Sequence, residues 1–161
     1  MKNKEYNKIL NEIPYLIENN TYDITILSNA AALLNMHMSL INWVGFYIYK
    51  DGILKLGPFQ GKPACTEIPL NKGVCGACGK SMKTIIVEDV HKYIGHIACD
   101  SQSQSEICVP IIINNILYGI LDIDSPIIKR FDEVDKENLE KIVDIIVKSL
   151  KNIWHYFIPL L

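Results

Sequence analysis

Five cysteines are the residues of this sequence best suited to chemistry. They are Cys65, Cys75, Cys78, Cys99 and Cys108. A thiol acts as a nucleophile or a metal ligand when it is accessible and ionised, whereas a thiol in apolar surroundings is inert. An odd number of cysteines in a chain that we expect to be cytoplasmic argues against structural disulfides. The open interpretations are therefore buried inert thiols, metal ligands and redox-active thiols.

Cys99 has a plausible setting for a reactive thiol. It lies in the polar segment GHIACDSQSQSEI, after His96 and before Asp100. A polar loop suits an accessible thiol, although the negative charge of Asp100 would oppose thiolate formation. On local sequence alone, Cys99 is equally compatible with a buried and inert loop cysteine.

Cys75 and Cys78 form a C-x-x-C pair, which is typical of redox or zinc sites only in the right context. A zinc site would need two more ligands, and no second close pair exists. Other residues are available by type alone: Cys65, Cys99, His91 and His96. We therefore expect no metal site, and a Cys75–Cys78 disulfide stays open. Cys108, in the apolar run ICVPIII, is interpreted as a small core residue.

Three carboxylates form a second group. Asp122 and Asp124 are two residues apart at the end of a predicted strand, so their side chains share a face. Glu106 opens the neighbouring strand and should lie close to both. One interpretation is an ordinary solvated strand end. The other is a pocket for a ligand with an ammonium group, because three acids in a partly closed site need a cation or raised pKa values.

Two aromatic residues complete the set of candidates. Trp43 and Tyr47 share one face of a predicted strand with Gly45. Aromatic residues are common in strands that pack against a core, so packing alone would account for them.

Composition excludes several classes of protein. The chain has 161 residues, 49% of them hydrophobic and 21% charged, which excludes an intrinsically disordered chain. Its 16 Lys and Arg against 18 Asp and Glu give a net charge of -2, which argues against nucleic-acid binding. The polar N-terminus lacks the apolar region of a signal peptide, and no apolar run is long enough to span a bilayer. We expect a soluble cytoplasmic protein without membrane contact.

The elements that must position these residues follow from periodicity and turn signals. Helical spacing predicts helices over residues 3–18, where Pro14 should kink or end the helix, over 24–37, and after an N-cap at Asp132. Predicted strands cover 42–50, 53–56, 84–87, 106–113 and 116–123, with hairpin turns at Asp51-Gly52 and Asn114-Asn115. Residues 57–69 and 89–105 are predicted loops, and 73–82 a short helical turn. This order predicts one α+β domain over residues 1–161, with a central antiparallel sheet and the N- and C-terminal helices packed on one side.

Several segments together resemble a known family. They are WVGFY (43–47), LGPFQGKPAC (56–65), KGVCG (72–76), VEDVHKYIGHIACDS (87–101), SEI (105–107), GILDIDSP (119–126) and FDEVD (131–135). The chain resembles the free methionine-R-sulfoxide reductases, small enzymes built on a GAF-type domain. The similarity runs from about residue 40 to 140 without an obvious gap, and the cysteine spacing combined with GHIACDS and LDIDSP is its most specific part.

The resemblance implies roles for three cysteines and three acids. Cys99 matches the catalytic cysteine that forms a sulfenic acid, and Cys65 matches the resolving cysteine. Cys75 matches a third family cysteine, which pairs with Cys65 or assists recycling. The matched substrate-binding carboxylates are Glu106, Asp122 and Asp124. Asp124 or Glu106 would also supply a proton to the departing oxygen.

The resemblance also implies a pocket and partners. Trp43 and Tyr47 match positions that line the substrate pocket, and Trp43 would receive the methyl-sulfinyl end. The implied reaction is thiol-dependent reduction of free L-methionine-R-sulfoxide, a response to oxidative stress, without a metal or organic cofactor and with thioredoxin as external reductant. A homodimer is also implied, for which the apolar C-terminal face could supply an interface: Trp154, Phe157 and Ile158.

Two other functions stay open. A non-catalytic GAF-type sensor could bind a small ligand and signal through its terminal helices, although such sensors usually belong to longer chains with an output domain. A redox or metal-binding interaction module could instead use Cys75 and Cys78, and bound zinc in a purified sample would distinguish that case.

Overall fold

The computed structural model describes residues 2–95 and 101–154. Within these ranges the helices are α1 (Lys2–Ile17), α2 (Asp23–His37), α3 (Gly73–Ser81) and α4 (Glu133–Trp154). The strands are β1 (Trp43–Lys50), β2 (Ile53–Gln60), β3 (Glu67–Pro69), β4 (Ile85–Val87), β5 (Ser105–Ile113) and β6 (Ile116–Ser125). A 3-10 turn covers Val90–Lys92.

The six strands form one antiparallel sheet in the order β3-β2-β1-β6-β5-β4. This confirms the predicted α+β class and the central antiparallel sheet. The strand β3 lies inside the segment 57–69 that was predicted as a loop. The sequence did not predict this strand, because three residues are too few to show an alternating pattern and proline disfavours strands other than those at sheet edges.

Both predicted hairpin turns form as expected. Asp51 and Gly52 have φ of 56° and 83°, and Asn114 and Asn115 have φ of 51° and 63°. These left-handed conformations are those of the two-residue turns whose twist matches that of paired strands. The second turn fixes the pairing of β5 with β6, the two strands that carry the carboxylates.

The sheet is covered differently on its two faces. Alternating residues of β1 divide between them, so Val44 and Phe46 join the larger core under α1, α2 and α4. Trp43 and Tyr47 face the other way, into a smaller core that includes Val74 of α3. The N- and C-terminal helices therefore pack on one side, as predicted, and the short α3 covers part of the opposite face.

Two helix features bear on the sequence predictions. Asp132 caps α4 as expected, since its Oδ1 accepts hydrogen bonds from the N–H groups of Val134 (3.0 Å) and Asp135 (3.2 Å). Pro14 does not end α1, which continues to Ile17. The buried Ile13 and Ile17 on either side of Pro14 hold this last turn against the core. Among the described residues, no helix has the length and apolar character required to cross a bilayer.

Candidate active site

Strand register places the three predicted carboxylates together. Asp124 of β6 pairs with Trp43 on one side and with Glu106 on the other, while Asp122 pairs with Gly45 and with Cys108. Directly opposed residues of antiparallel strands project from the same face, and residues two apart along a strand do so as well. Glu106, Asp122 and Asp124, called the acidic cluster below, therefore share the face covered by α3. Glu106 and Asp122 are buried, and Asp124 is half-buried.

The helix α3 brings Cys75 down onto this face. Its close approach requires glycine at position 76, where a Cβ would lie 2.5 Å from the carbonyl oxygen of Pro69. The Sγ atom of Cys75 lies 3.5 Å from that of Cys108 and 3.9 Å from Oε1 of Glu106. Cys75 thus lies beside the acidic cluster.

Cys108 is buried as predicted, but it is also part of the site. Its thiol donates to Oε1 of Glu106 at 3.1 Å and lies 3.4 Å from Oδ1 of Asp122. The sequence interpretation as a core residue missed this role. The signal was present, because Glu106 and Cys108 are two apart in one strand and must share a face. Cys78 points elsewhere, with its Sγ 3.5 Å from the carbonyl oxygen of Cys108.

Burial sets the protonation of the carboxyl groups. It raises the pKa of Glu106 well above its usual range, and the charges of Asp122 and Asp124 raise that pKa further. Burial also raises the pKa of Asp122 to about 6, against the opposing effect of hydrogen bonds from Cys75, Cys108 and Glu106. The raised pKa favours the protonated form of Glu106, which can serve as a proton donor.

The buried thiols are held in their neutral form. Burial raises the pKa of Cys108 and of Cys78. The hydrogen bond with Cys108 lowers the pKa of Cys75, but burial and the charges of Asp122 and Glu106 raise it well above its usual range. A thiol must ionise to attack, so none of these three is suited to act as the nucleophile.

Trp43, Tyr47 and Phe59 form an aromatic wall beside the acidic cluster. The Trp43 ring stacks on Phe59 with centroids 5.4 Å apart and on Tyr47 at 6.0 Å. Phe59 was missed from the sequence because the return strand was predicted to end at residue 56, whereas β2 continues to Gln60. Its partner is Gly45, where a Cβ would lie 2.4 Å from Cβ of Phe59 and 2.5 Å from Cη2 of Trp43. The wall therefore depends on a glycine at position 45.

The aromatic wall also contacts the loop that carries Cys65. The Tyr47 hydroxyl donates to the carbonyl oxygen of Cys65 at 3.1 Å, and Trp43 Nε1 donates to that of Lys62 at 3.1 Å. Cys65 is half-buried and disulfide-bonded, whereas Cys75, Cys78 and Cys108 are free thiols. In this structure Cys75 and Cys78 are therefore not joined to each other. Cys99, predicted as the catalytic cysteine, lies outside the described residues.

Within the part of the chain that the structure describes, one set of residues has donor atoms suited to a metal ion. One ligand atom from each of Cys75, Glu106, Cys108 and Asp122 lies within 4.8 Å of the others, and all four residues are buried. This set differs from the C-x-x-C pair weighed from the sequence, because its members come from three separate segments of the chain.

Comparison with known proteins identifies the architecture. The chain matches the GAF domain over residues 24–150. It is 41% identical over 149 residues to the free methionine-R-sulfoxide reductase of Escherichia coli strain K12, covering 92% of this chain and 90% of that one. It is 50% identical over 131 residues to the free methionine-R-sulfoxide reductase of Saccharomyces cerevisiae, covering 76% and 73%.

A solved structure agrees with these relatives. The fRMsr of Staphylococcus aureus, in complex with substrate, superposes with a TM-score of 0.87 at 52% identity, covering 90% of this chain and 95% of that one. These matches place the chain in the class of GAF-domain proteins. Within that class, the chain belongs to the free methionine-R-sulfoxide reductase family of enzymes.

Proposed function

We propose that this protein reduces free L-methionine-R-sulfoxide to L-methionine. The observation that carries the proposal is the convergence of the acidic cluster and the aromatic wall on one sheet face. Family membership supports the same reaction. A free amino acid offers an ammonium group for carboxylates and a sulfur group that packs well against aromatic rings.

Different members of the acidic cluster bind the substrate and transfer the proton. Asp122, whose pKa is about 6, is largely ionised at neutral pH and can pair with the substrate ammonium. Glu106, whose pKa is raised well above its usual range by burial, can donate its proton to the sulfoxide oxygen. Asp124 borders both Glu106 and Trp43 and can serve either step.

The proposed redox chemistry uses Cys99 and Cys65. The Cys99 thiolate attacks the sulfoxide sulfur, the oxygen is protonated and passes to Cys99, and methionine leaves. Cys99 is then a sulfenic acid, which condenses with the Cys65 thiol to give a disulfide and water. A dithiol of thioredoxin reduces that disulfide by exchange. The disulfide-bonded state of Cys65 and the burial of the other three described cysteines support this pairing.

The remaining proposals rest on the resemblance. We propose thioredoxin as the reductant, action in the cytoplasm, and a homodimer. The chemistry above requires no metal or organic cofactor. The C-terminal residues proposed for the dimer interface, Phe157 and Ile158, lie outside the described residues.

The proposal is tested by incubating the protein with dithiothreitol and racemic free methionine sulfoxide. We expect half of the substrate to disappear, all of it the R epimer, with an equal amount of methionine formed. N-acetyl and peptide-bound methionine sulfoxide serve as controls and should react poorly, because their ammonium group is blocked. Binding without consumption would instead support a sensor.

Cysteine variants test the redox pair in the same assay. Cys99→Ser should make no methionine with any reductant. Cys65→Ser should lose turnover with thioredoxin but still release one methionine per chain, because the sulfenic acid can still form. Cys78→Ser is the matched control and should behave as wild type. Normal thioredoxin turnover by Cys65→Ser would move the resolving role to another cysteine.

A further inference from the structure

We propose that Cys75, Glu106, Cys108 and Asp122 form a tetrahedral binding site for Zn²⁺, and that Zn²⁺ bound there blocks the substrate pocket. The second half of this proposal rests on the proposed function, since it takes Glu106 and Asp122 as substrate-binding groups. The first half does not. It departs from the expectation, drawn from the sequence, that the chain holds no metal site.

The donor atoms already have nearly the spacing of a zinc coordination shell. Zn–S bonds of about 2.3 Å and Zn–O bonds of about 2.0–2.2 Å place tetrahedral ligands about 3.8 Å apart for two sulfurs and about 3.5 Å apart for sulfur and oxygen. The two Sγ atoms are 3.5 Å apart. The sulfur–oxygen distances are 3.1 Å and 3.4 Å from Cys108, and 3.9 Å from Cys75 to Glu106. These four distances differ from the tetrahedral values by a few tenths of an ångström. All four donor atoms lie within 4.8 Å of one another, so the more distant donors would move inward when the ion binds.

The backbone fixes three of the four ligands. Glu106 and Cys108 alternate on β5, and Asp122 is the register partner of Cys108 on β6. Cys75 comes from the first turn of α3, whose packing leaves no room for a Cβ at position 76. A site on paired central strands is held more firmly than one on loops. Little ordering of the protein is therefore needed when the ion binds.

The donor types select zinc. Two thiolates and two carboxylates suit a borderline-soft cation that accepts tetrahedral coordination, whereas Mg²⁺ and Ca²⁺ prefer six or more oxygen ligands. Four buried acidic groups also disfavour their own joint ionisation, and a divalent cation would offset that cost. Zn²⁺ is proposed here as an inhibitor and not as a cofactor.

Cys108 is the ligand that best distinguishes metal binding from the proposed chemistry. It takes no covalent or proton-transfer step in the proposed reaction, although its thiol contacts both carboxylates of the metal-binding set. Cys78 offers a matched control, because it is also a buried free thiol but points at a backbone carbonyl. Replacement of either cysteine by serine keeps a small side chain that can donate a hydrogen bond.

The test uses fully reduced protein and Zn²⁺ in competition with a chromophoric chelator. We expect one Zn²⁺ per wild-type chain, an affinity at least about 10-fold weaker in Cys108→Ser, and unchanged affinity in Cys78→Ser. Circular dichroism reports whether each variant folds. Should Cys108→Ser unfold, Asp122→Asn removes another ligand and is expected to weaken binding in the same way. Wild-type affinity in the folded ligand variant, or no binding to wild type, overturns the proposed site.

The inhibition half is tested by activity. Activity is measured relative to the zinc-free rate of each protein. Zn²⁺ should inhibit wild type and Cys78→Ser, a chelator should restore both, and Cys108→Ser should need at least about 10-fold more Zn²⁺ for the same fractional inhibition. Equal sensitivity of Cys108→Ser would show that Zn²⁺ inhibits elsewhere and would overturn the proposed blocking. Failure of the proposed function would give a different result, namely a wild-type chain that binds Zn²⁺ but does not consume methionine sulfoxide.

Discussion

Asp122 is a carboxyl group enclosed by two thiols and a second carboxyl group. Its pKa of about 6 exceeds the usual value of about 3.9, so the folded state binds this proton more tightly than the unfolded state does. Such a group contributes full stability below its ordinary pKa, and that contribution is lost as pH rises through about 6. The site therefore costs the fold stability at neutral pH.

Asp122→Asn should remove that cost. We expect its free energy of unfolding at pH 8 to exceed that of wild type by on the order of 2 kcal/mol, with the difference vanishing near pH 4. Urea unfolding at both pH values, with a chelator present, measures it. Asp144→Asn, at an exposed position of α4, is the control and should track wild type throughout. If the stability difference between Asp122→Asn and wild type were the same at both pH values, the destabilising effect of a buried charge at Asp122 would be contradicted.

The acidic cluster also makes a kinetic prediction. Glu106→Gln and Asp124→Asn keep the shape of each side chain but remove its ionisable proton. We expect kcat to fall by roughly 10²–10⁴-fold in each, the usual contribution of a general acid. Asp122→Asn should chiefly raise KM, the pattern for lost substrate binding. Steady-state kinetics on free methionine sulfoxide separate the two. If kcat and KM stayed near the wild-type values in all three variants, the acidic cluster would be only a solvated strand end without a role in catalysis or binding.

How far the sequence predicts the site can be judged residue by residue. Glu106, Asp122 and Asp124 could be brought together because alternation and one hairpin turn fix their register. Cys108 and Phe59 could not be assigned to the site in the same way. Cys108 was taken for core because it lies in an apolar run, and Phe59 was taken for loop because Gly57 and Pro58 interrupt its strand.

At the scale of elements, a buried ionic network joins the first and last helices. Asp135, in the first turn of α4, accepts hydrogen bonds from the Tyr6 hydroxyl (2.7 Å) and from Arg130 Nη1 (3.0 Å). It also forms an ion pair with Lys2. Tyr6, Arg130 and Asp135 are buried, so the network holds α1, the segment before α4 and α4 itself together.

Asp135→Ala should be strongly destabilising. It leaves Arg130 buried without its closest partner, and removal of one member of a buried ion pair costs about 3–5 kcal/mol. Chemical denaturation measures the loss. The control is Asp144→Ala, the same change at an exposed position of α4, which should stay within about 0.5 kcal/mol of wild type. Equal stabilities would show that the network contributes little.

Elements differ in how much of their structure local sequence decides. The hairpins and α4 were predicted because turn residues and helical spacing act over a few positions. Pro14 shows the limit of such signals, since burial of Ile13 and Ile17 in the core carries α1 past a residue that disfavours helix. The three residues of β3 are too few to show the alternation of apolar and polar residues that is typical of a strand, and their pairing with β2 makes them one.

At the scale of the whole molecule, the sheet separates scaffold from site. The larger core lies under α1, α2 and α4, while the candidate site lies on the face that α3 covers. Changes in the larger core should therefore alter stability without altering substrate binding.

Leu139→Ala tests this separation. Leu139 of α4 is fully buried in the larger core, and its truncation should lower the free energy of unfolding by about 2–5 kcal/mol. KM should stay at the wild-type value at temperatures where the variant is folded. Val74→Ala, a truncation on the face under α3, is the comparison and should raise KM. A raised KM in Leu139→Ala would show that the two faces are coupled.

The two outermost strands bear on how this protein behaves when other chains unfold around it. The strands β3 and β4 have three residues each, and β3 begins with an exposed glutamate and ends in a proline. A long open edge is a template on which foreign strands assemble, and short edges interrupted by charge or proline are poor templates. The short outer strands of this sheet therefore offer unfolded chains nearby little backbone on which aggregation could begin.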